Sequence, residues 1–284
     1  MNGADYARLV ALGAIWGASF MFQRLVAPSL GVVLTAESRV LLAGLVLAAW
    51  FRLTGFDPQW RLHWKAYFVI GANNSALPFL FYAFASLHAP ASLLAILNAS
   101  APIFGAVFGA LWLGERFTVR RALGLAAGLA GVALVSRPDV SYDTPQFGWA
   151  VAASIAACVF YGFTGLIMKK FAAGAPSRGI AVGSQLCAAL VLAPLIPFSP
   201  PLATPTAFVL ANAAVLAIVC GAVAYVLYFR LIADVGATRA LTVTYLVPVF
   251  GILWAAIFLG ETLTPAMAVG GILILAGVVL VTRS

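Results

Sequence analysis

The sequence predicts an all-α polytopic membrane protein of ten transmembrane helices, built as two inverted five-helix repeats with both termini in the cytoplasm. Three observations predict it. The 284-residue chain is 64% apolar and only 8% charged, with a mean hydropathy of +1.07, where a soluble domain carries about 25% charged residues. Its apolar residues fall into ten runs. One stretch is also written twice: residues 95–138 align with 241–284 without a gap, at an offset of 146, with 17 of the 44 positions identical.

A spanning helix needs about 20 mostly apolar residues. The runs cover roughly 5–27, 31–51, 64–87, 91–113, 119–136, 147–170, 178–198, 207–232, 237–259 and 265–282. Helices are expected because backbone polar groups in lipid must be satisfied within their own segment. The first run is long enough to span and lacks the short apolar core and cleavage site of a removable signal. The loops are short, leaving no room for a soluble domain, and no phosphate-binding loop is present to drive an ATP motor. The net charge of +8 comes from basic residues scattered between apolar runs. The expected partners are therefore the lipid bilayer and a small-molecule substrate, not nucleic acid. Cys158, Cys187 and Cys220 lie inside apolar runs and read as small packing residues. Their number and spacing suit neither a disulfide framework nor a metal site, and no cofactor motif is seen.

Orientation follows from the basic residues. With the N-terminus inside, Arg8, Arg52, Arg61, Lys65, Arg116, Arg120, Arg121, Lys169, Lys170, Arg178, Arg230, Arg239 and Arg283 fall on the cytoplasmic side. Arg24, Arg39 and Arg137 fall toward the outside. The repeats occupy 1–138 and 147–284, and Tyr82 aligns with Tyr228 while Trp16-Gly17 aligns with Tyr161-Gly162 at an offset of 145. Five spans per repeat force the second copy to cross in the opposite sense. Glu115 is then expected at the cytoplasm and its twin Glu261 outside. Inverted repeats of this kind mark secondary transporters, with the substrate near the midplane between the halves.

Each half ends in a proline-bearing run followed by Leu-Gly-Glu, at 113–115 and 259–261, and the chain opens on Trp16-Gly17-Ala18-Ser19-Phe20. On these residues the whole chain resembles the EamA-type transporters of the drug/metabolite transporter superfamily, and within them the YddG-type exporters of aromatic amino acids. The resemblance implies a ten-helix exporter of the bacterial inner membrane. It also implies a central cavity lined by the first four helices of each half, with the fifth peripheral.

Pro102 and Pro248 sit mid-run. A proline removes one helical hydrogen bond and frees the carbonyl four residues earlier. Those carbonyls belong to Asn98 and Thr244, which become candidate substrate contacts, with a packing kink as the alternative. Asn73 and Asn74 lie in the middle of the third run beside Ser75. Neighbouring residues point about 100° apart on a helix, so at most one is expected to face a cavity; interhelical bonding is the alternative. Gln23 and Gln185 are weaker cases. Trp16, Tyr82, Tyr161 and Tyr245 are candidate aromatic contacts for a flat apolar group. For Tyr82 and its partner Tyr228 an interfacial belt is the rival reading.

Glu37 and Arg39 are the main charges inside a span. Arg39 is expected to snorkel, and Glu37 to pair with Arg24 or Arg39, with proton coupling through Glu37 as the alternative. Glu115 and Glu261 read as structural turn residues. Glycines 105, 109, 124, 128, 131, 270, 271 and 277 have the spacing of close helix contacts. They are expected to pack the fourth span on the fifth and the ninth on the tenth within a monomer, a homodimer seam being the alternative. With His63 and His88 near span ends, no catalytic constellation is apparent. Aromatics, amides and few charges suit a small, overall neutral cargo such as an amino acid; a lipophilic drug-like cargo is the alternative, and phosphorylated cargo would call for a basic residue at mid-depth.

Overall fold

The computed structural model describes residues 2–114, 118–136, 145–236, 240 and 242–282. Glu115, Arg116, Arg137, Arg239 and Arg283, for which expectations were stated above, lie outside the described residues. All regular structure among them is helical: α1 Gly3–Leu53, α2 Trp60–His88, α3 Ala91–Leu113, α4 Val119–Val135, α5 Pro145–Phe171, α6 Ser177–Phe198, α7 Ala207–Val235, α8 Val243–Leu259 and α9 Pro265–Thr282. Six of these are long and apolar enough to cross a membrane, and α8 and α9 are shorter apolar helices. The protein is a multi-pass membrane protein.

At 51 residues, α1 would stretch about 77 Å at ~1.5 Å per residue, more than twice the ~30 Å of a hydrocarbon core. It has to turn back, and it does so at Gly31, whose φ of 76° and ψ of 178° leave the helix. Only glycine adopts that backbone without strain. Leu9 and Leu12 pack with Leu231 of α7, and Leu47 and Phe51 pack with Phe229 of the same helix. The two ends of α1 thus lie side by side, and α1 supplies two antiparallel spans, 3–30 and 32–53.

Several other irregularities come in pairs. A π-helical turn interrupts α2 at Ala72–Ala76 and α7 at Ile218–Val223, and the two begin 146 residues apart. Gly114 and Gly260 end α3 and α8 in the left-handed conformation, at φ/ψ of 65°/20° and 67°/20°. Thr118 and Thr264 then cap the next helices, their hydroxyls accepting from the Arg121 and Met267 amides. The proline positions differ. Around Pro102, α3 breaks into Ala91–Asn98 and Ala101–Leu113, whereas Pro248 sits inside an unbroken α8.

The glycine expectation needs correction. Gly124 and Gly131 do not pack α4 on α3. A Cβ added at Gly124 would lie 2.7 Å from the Gly277 carbonyl oxygen, and one at Gly131 2.6 Å from that of Gly270. These residues bring α4 against α9, joining the two copies through their last helices. Gly124 aligns with Gly270 and Gly131 with Gly277, so the crossing is self-complementary. A second set behaves likewise. A Cβ at Gly17 would sit 2.7 Å from the Gly251 nitrogen and 2.8 Å from Phe250 Cβ; at Gly162 it would sit 2.6 Å from the Gly105 nitrogen and 2.7 Å from Phe104 Cβ. The first helix of each half therefore lies on the proline helix of the other.

Candidate functional site

The candidate residues come from α1, α2, α3, α5 and α8, and Trp16, Tyr82, Tyr161 and Tyr245 meet in one buried cluster, while two of the others sit on a π turn. A π turn inserts one residue and disturbs the i→i−4 ladder, a device found often at functional sites. In α2 it carries Asn73, Asn74 and Ser75. Asn73 is buried and committed: its Nδ2 donates to the Phe160 carbonyl and to Thr164 Oγ1 of α5, both at 2.8 Å. This is the interhelical role. Asn74, half-buried, turns the other way. With Ser75 and Gln185 it surrounds the hydroxyl of Tyr225 from α7, and Gln185 Nε2 donates to Ser75 Oγ at 3.2 Å.

Tyr82 is only 2% exposed and belongs to the interior, not to an interfacial belt. Its hydroxyl donates to Asn98 Oδ1 at 3.0 Å and lies 3.4 Å from Cys158 Sγ, which in turn donates to the Leu97 carbonyl at 3.3 Å. The turn that opens α3 before Pro102 thus presents the Asn98 amide to Tyr82, one helix away. Tyr82 stacks on Tyr161, ring centroids 6.2 Å apart and planes 26° from parallel. Trp16 meets Tyr228 at 5.2 Å, so Tyr228 too lies inside the bundle. Tyr245, Trp16 and Tyr161 all pack against the same buried cluster. Thr244, half-buried, lies at the start of α8, in the first turn before Pro248.

Glu37 and Arg39 depart most from expectation. Arg39 does not snorkel: it is 7% exposed, and its guanidinium carbon lies 3.8 Å from the centre of the Phe79 ring. Arg24, the other proposed partner of Glu37, instead donates to the Ser86 carbonyl at 2.6 Å. Arg39 Nε and Glu37 Oε2 are buried without a hydrogen-bond partner, and no ion pair joins the two. Two residues apart, their side chains leave α1 on different faces.

Tyr225 was missed by the sequence reading. A signal existed, because Tyr225 is the repeat counterpart of Phe79 at the offset of 146. Glu261, read as a turn residue, does more: its carboxylate accepts from the Ala91 and Ser92 amides at 2.7 and 2.9 Å and from the Ser92 hydroxyl at 2.5 Å. It caps α3 from the other half, satisfying amides that a helix start leaves free. At the opposite end, Arg8 and Arg230 both meet Asp234, at 2.6 and 3.1 Å, tying α1 to α7.

This interior brings together aromatic rings, amides and the buried Arg39 guanidinium; among the described residues no cluster could ligate a metal. A probable terminal-alkyne amino-acid exporter of Streptantibioticus cattleyicolor is 26% identical over 97% of this chain and 92% of its own. The uncharacterized transporter YvbV of Bacillus subtilis is 25% identical over 96% and 90%. A crystal structure matches at a TM-score of 0.69 over 99% of this chain and 96% of its own, at 21% identity, a likeness of fold. The EamA-like transporter family matches residues 6–137 and again residues 148–283, so the chain belongs to the EamA-like transporter family and is a membrane transporter.

Proposed function

We propose that the protein is a secondary exporter of the bacterial inner membrane, carrying small metabolites, neutral and aromatic amino acids foremost, by alternating access. Ten spans in two inverted five-helix halves enclose the path. The reading rests on the exchange of contacts between halves. Gly17 of one copy lies on Gly251 of the other, and their counterparts Gly162 and Gly105 repeat the contact. An interface made twice from equivalent parts offers two near-equivalent packings, and rocking between them exposes a central site first to one side and then to the other. Trp16, Asn74, Tyr82, Asn98, Tyr161, Thr244 and Tyr245 are its proposed substrate contacts, Asn73 supporting them through α5.

The amino-acid assignment draws on the chemistry around Tyr82, Asn98 and Tyr225, which offers flat rings and neutral hydrogen-bonding groups. It also draws on the likeness to the probable terminal-alkyne amino-acid exporter of Streptantibioticus cattleyicolor. Counterflow tests it. Proteoliposomes loaded with unlabelled phenylalanine are expected to accumulate external labelled phenylalanine transiently, as a carrier must. Steady leakage without counterflow would indicate a channel, and accumulation of cationic dyes in place of amino acids would move the cargo class to lipophilic compounds.

A further inference from the structure

Arg39 carries a charge into the bundle and, among the described residues, meets no hydrogen-bond acceptor and no carboxylate partner. It lies eight residues past the Gly31 reversal, roughly 12 Å down the helix at ~1.5 Å per residue, which is near mid-depth of a ~30 Å core. No N–H of its guanidinium donates to a described residue, and Nε is enclosed without a partner. The other interior or helix-end arginines are used differently: Arg24 donates to the Ser86 carbonyl and Arg8 pairs with Asp234. Ionisable groups at such depth are costly and mark substrate paths.

Its surroundings narrow the chemistry. The Phe79 ring covers one face of the guanidinium, which stabilises the cation and leaves the in-plane N–H donors, the part that grips an anion, unused. Tyr161, Tyr225 and Cys220 lie within electrostatic reach of the charge. Phe79 and Tyr225 are repeat counterparts, so Arg39 stands where the two halves face each other. The second copy holds Gln185 at the matching position, so the charge is unpaired by symmetry as well as by contact.

We infer that Arg39 is the anion anchor of the transport site, holding the carboxylate of the cargo in its planar fork while Phe79 fixes the plane. This rests on the export reading above and names the group recognised. The fork matches carboxylate and phosphate oxygens alike. One cation balances one carboxylate, whereas a phosphate ester near its second ionisation carries up to two charges and would want a second base beside Arg39. Among the described residues none stands there: Lys169 and Lys170 lie in the last turn of α5.

The test uses purified full-length protein in proteoliposomes, with labelled phenylalanine and labelled phenylalaninamide, in which a neutral amide replaces the carboxylate. Wild type is expected to prefer phenylalanine by about tenfold to a hundredfold, the worth of one charged hydrogen-bonding contact. Arg39→Gln should bring that preference close to one while still carrying the amide, and Arg39→Lys should keep part of it. A preference that survives in Arg39→Gln overturns the anchor and leaves the export reading standing. Uptake of neither compound by wild type overturns both. If Arg39→Gln does not elute as a native particle, ligand-induced thermal shifts of wild type and Arg39→Lys decide: stabilisation by phenylalanine beyond the amide, smaller in Arg39→Lys, supports the anchor, and equal shifts refute it. Inorganic phosphate that competes better than phenylalanine would also refute the carboxylate assignment.

Discussion

The indole of Trp16 packs on the ring of Tyr228, centroids 5.2 Å apart. Trp16 belongs to the first helix of one half and Tyr228 to the third helix of the other. Their repeat counterparts, Tyr161 and Tyr82, meet with the halves exchanged, at 6.2 Å and closer to parallel. One pair lies on the side of the Arg8–Asp234 contact, the other on the side where Tyr82 meets Asn98. In a rocking carrier each opening should break one pair and keep the other.

That separation gives a signed prediction. An aromatic pair is worth about 0.5–1.5 kcal/mol beyond its burial, or roughly two- to twelvefold in population. Trp16→Leu should bias the protein toward the state open on the Arg8–Asp234 side, and Tyr161→Leu toward the opposite state. Reactivity of single introduced thiols toward an impermeant maleimide, read from both sides of oriented vesicles, should move in opposite directions for the two variants. A shift in the same direction would contradict the exchange.

The glycine crossing of α4 and α9 predicts a stability effect. Any Cβ at Gly131 meets the Gly270 carbonyl oxygen at 2.6 Å and Ile274 Cγ1 at 2.8 Å, and backbone does not give way cheaply. Gly131→Ala should cost about 1–3 kcal/mol, as overpacking does, and lower the melting temperature in detergent. Gly148, in the first turn of α5, has nothing within 4 Å of an added Cβ, so Gly148→Ala should melt within experimental error of wild type.

How much of this the sequence carried can be seen residue by residue. The pattern of apolar runs and the repeat were legible because hydropathy and self-similarity need no tertiary contacts. The divergence of Asn73 and Asn74 was also legible, since helix geometry alone sets it: Asn73 donates to α5 while Asn74 meets Tyr225. It could not say that Gly131 would meet α9 and not α3, because small-residue spacing marks a close contact without naming the partner. Arg39 was misread for a related reason. A long cation some way along a span snorkels when a face is open to the interface, and only the packing of Phe79 against it removes that route. Tyr225 went unseen because an aromatic near the end of an apolar run looks like any other; its repeat relation to Phe79 was the available clue.

Glu261 should matter more for stability than a turn carboxylate does. It accepts two α3 amides and the Ser92 hydroxyl, and charged hydrogen bonds contribute about 1.5–3 kcal/mol each when buried partners would otherwise be unmet. Glu261→Ala is expected to lower the unfolding temperature clearly, and Ser92→Ala modestly. Because both changes remove one shared contact, the double variant should lose less than the sum of the two. Additive losses would show that the cap works through the backbone amides alone.

Inverted threading is testable without disturbing that cap. Val119 and Leu263 stand at the starts of the two last helices, close to Thr118 and Thr264, and both are exposed. If the second half crosses the membrane in the opposite sense to the first, Val119→Cys must react from the cytoplasmic side and Leu263→Cys from the outside. The native thiols Cys158, Cys187 and Cys220 are buried and give a low background. In intact cells an impermeant maleimide should label Leu263→Cys at once and Val119→Cys only after the membrane is permeabilised. The positive-inside distribution makes the same assignment, since Arg120 and Arg121 adjoin Val119 whereas residues 260–268 carry no Lys or Arg. Labelling of both positions in intact cells would place the two halves in parallel, and the alternating-access reading would then lose its structural basis.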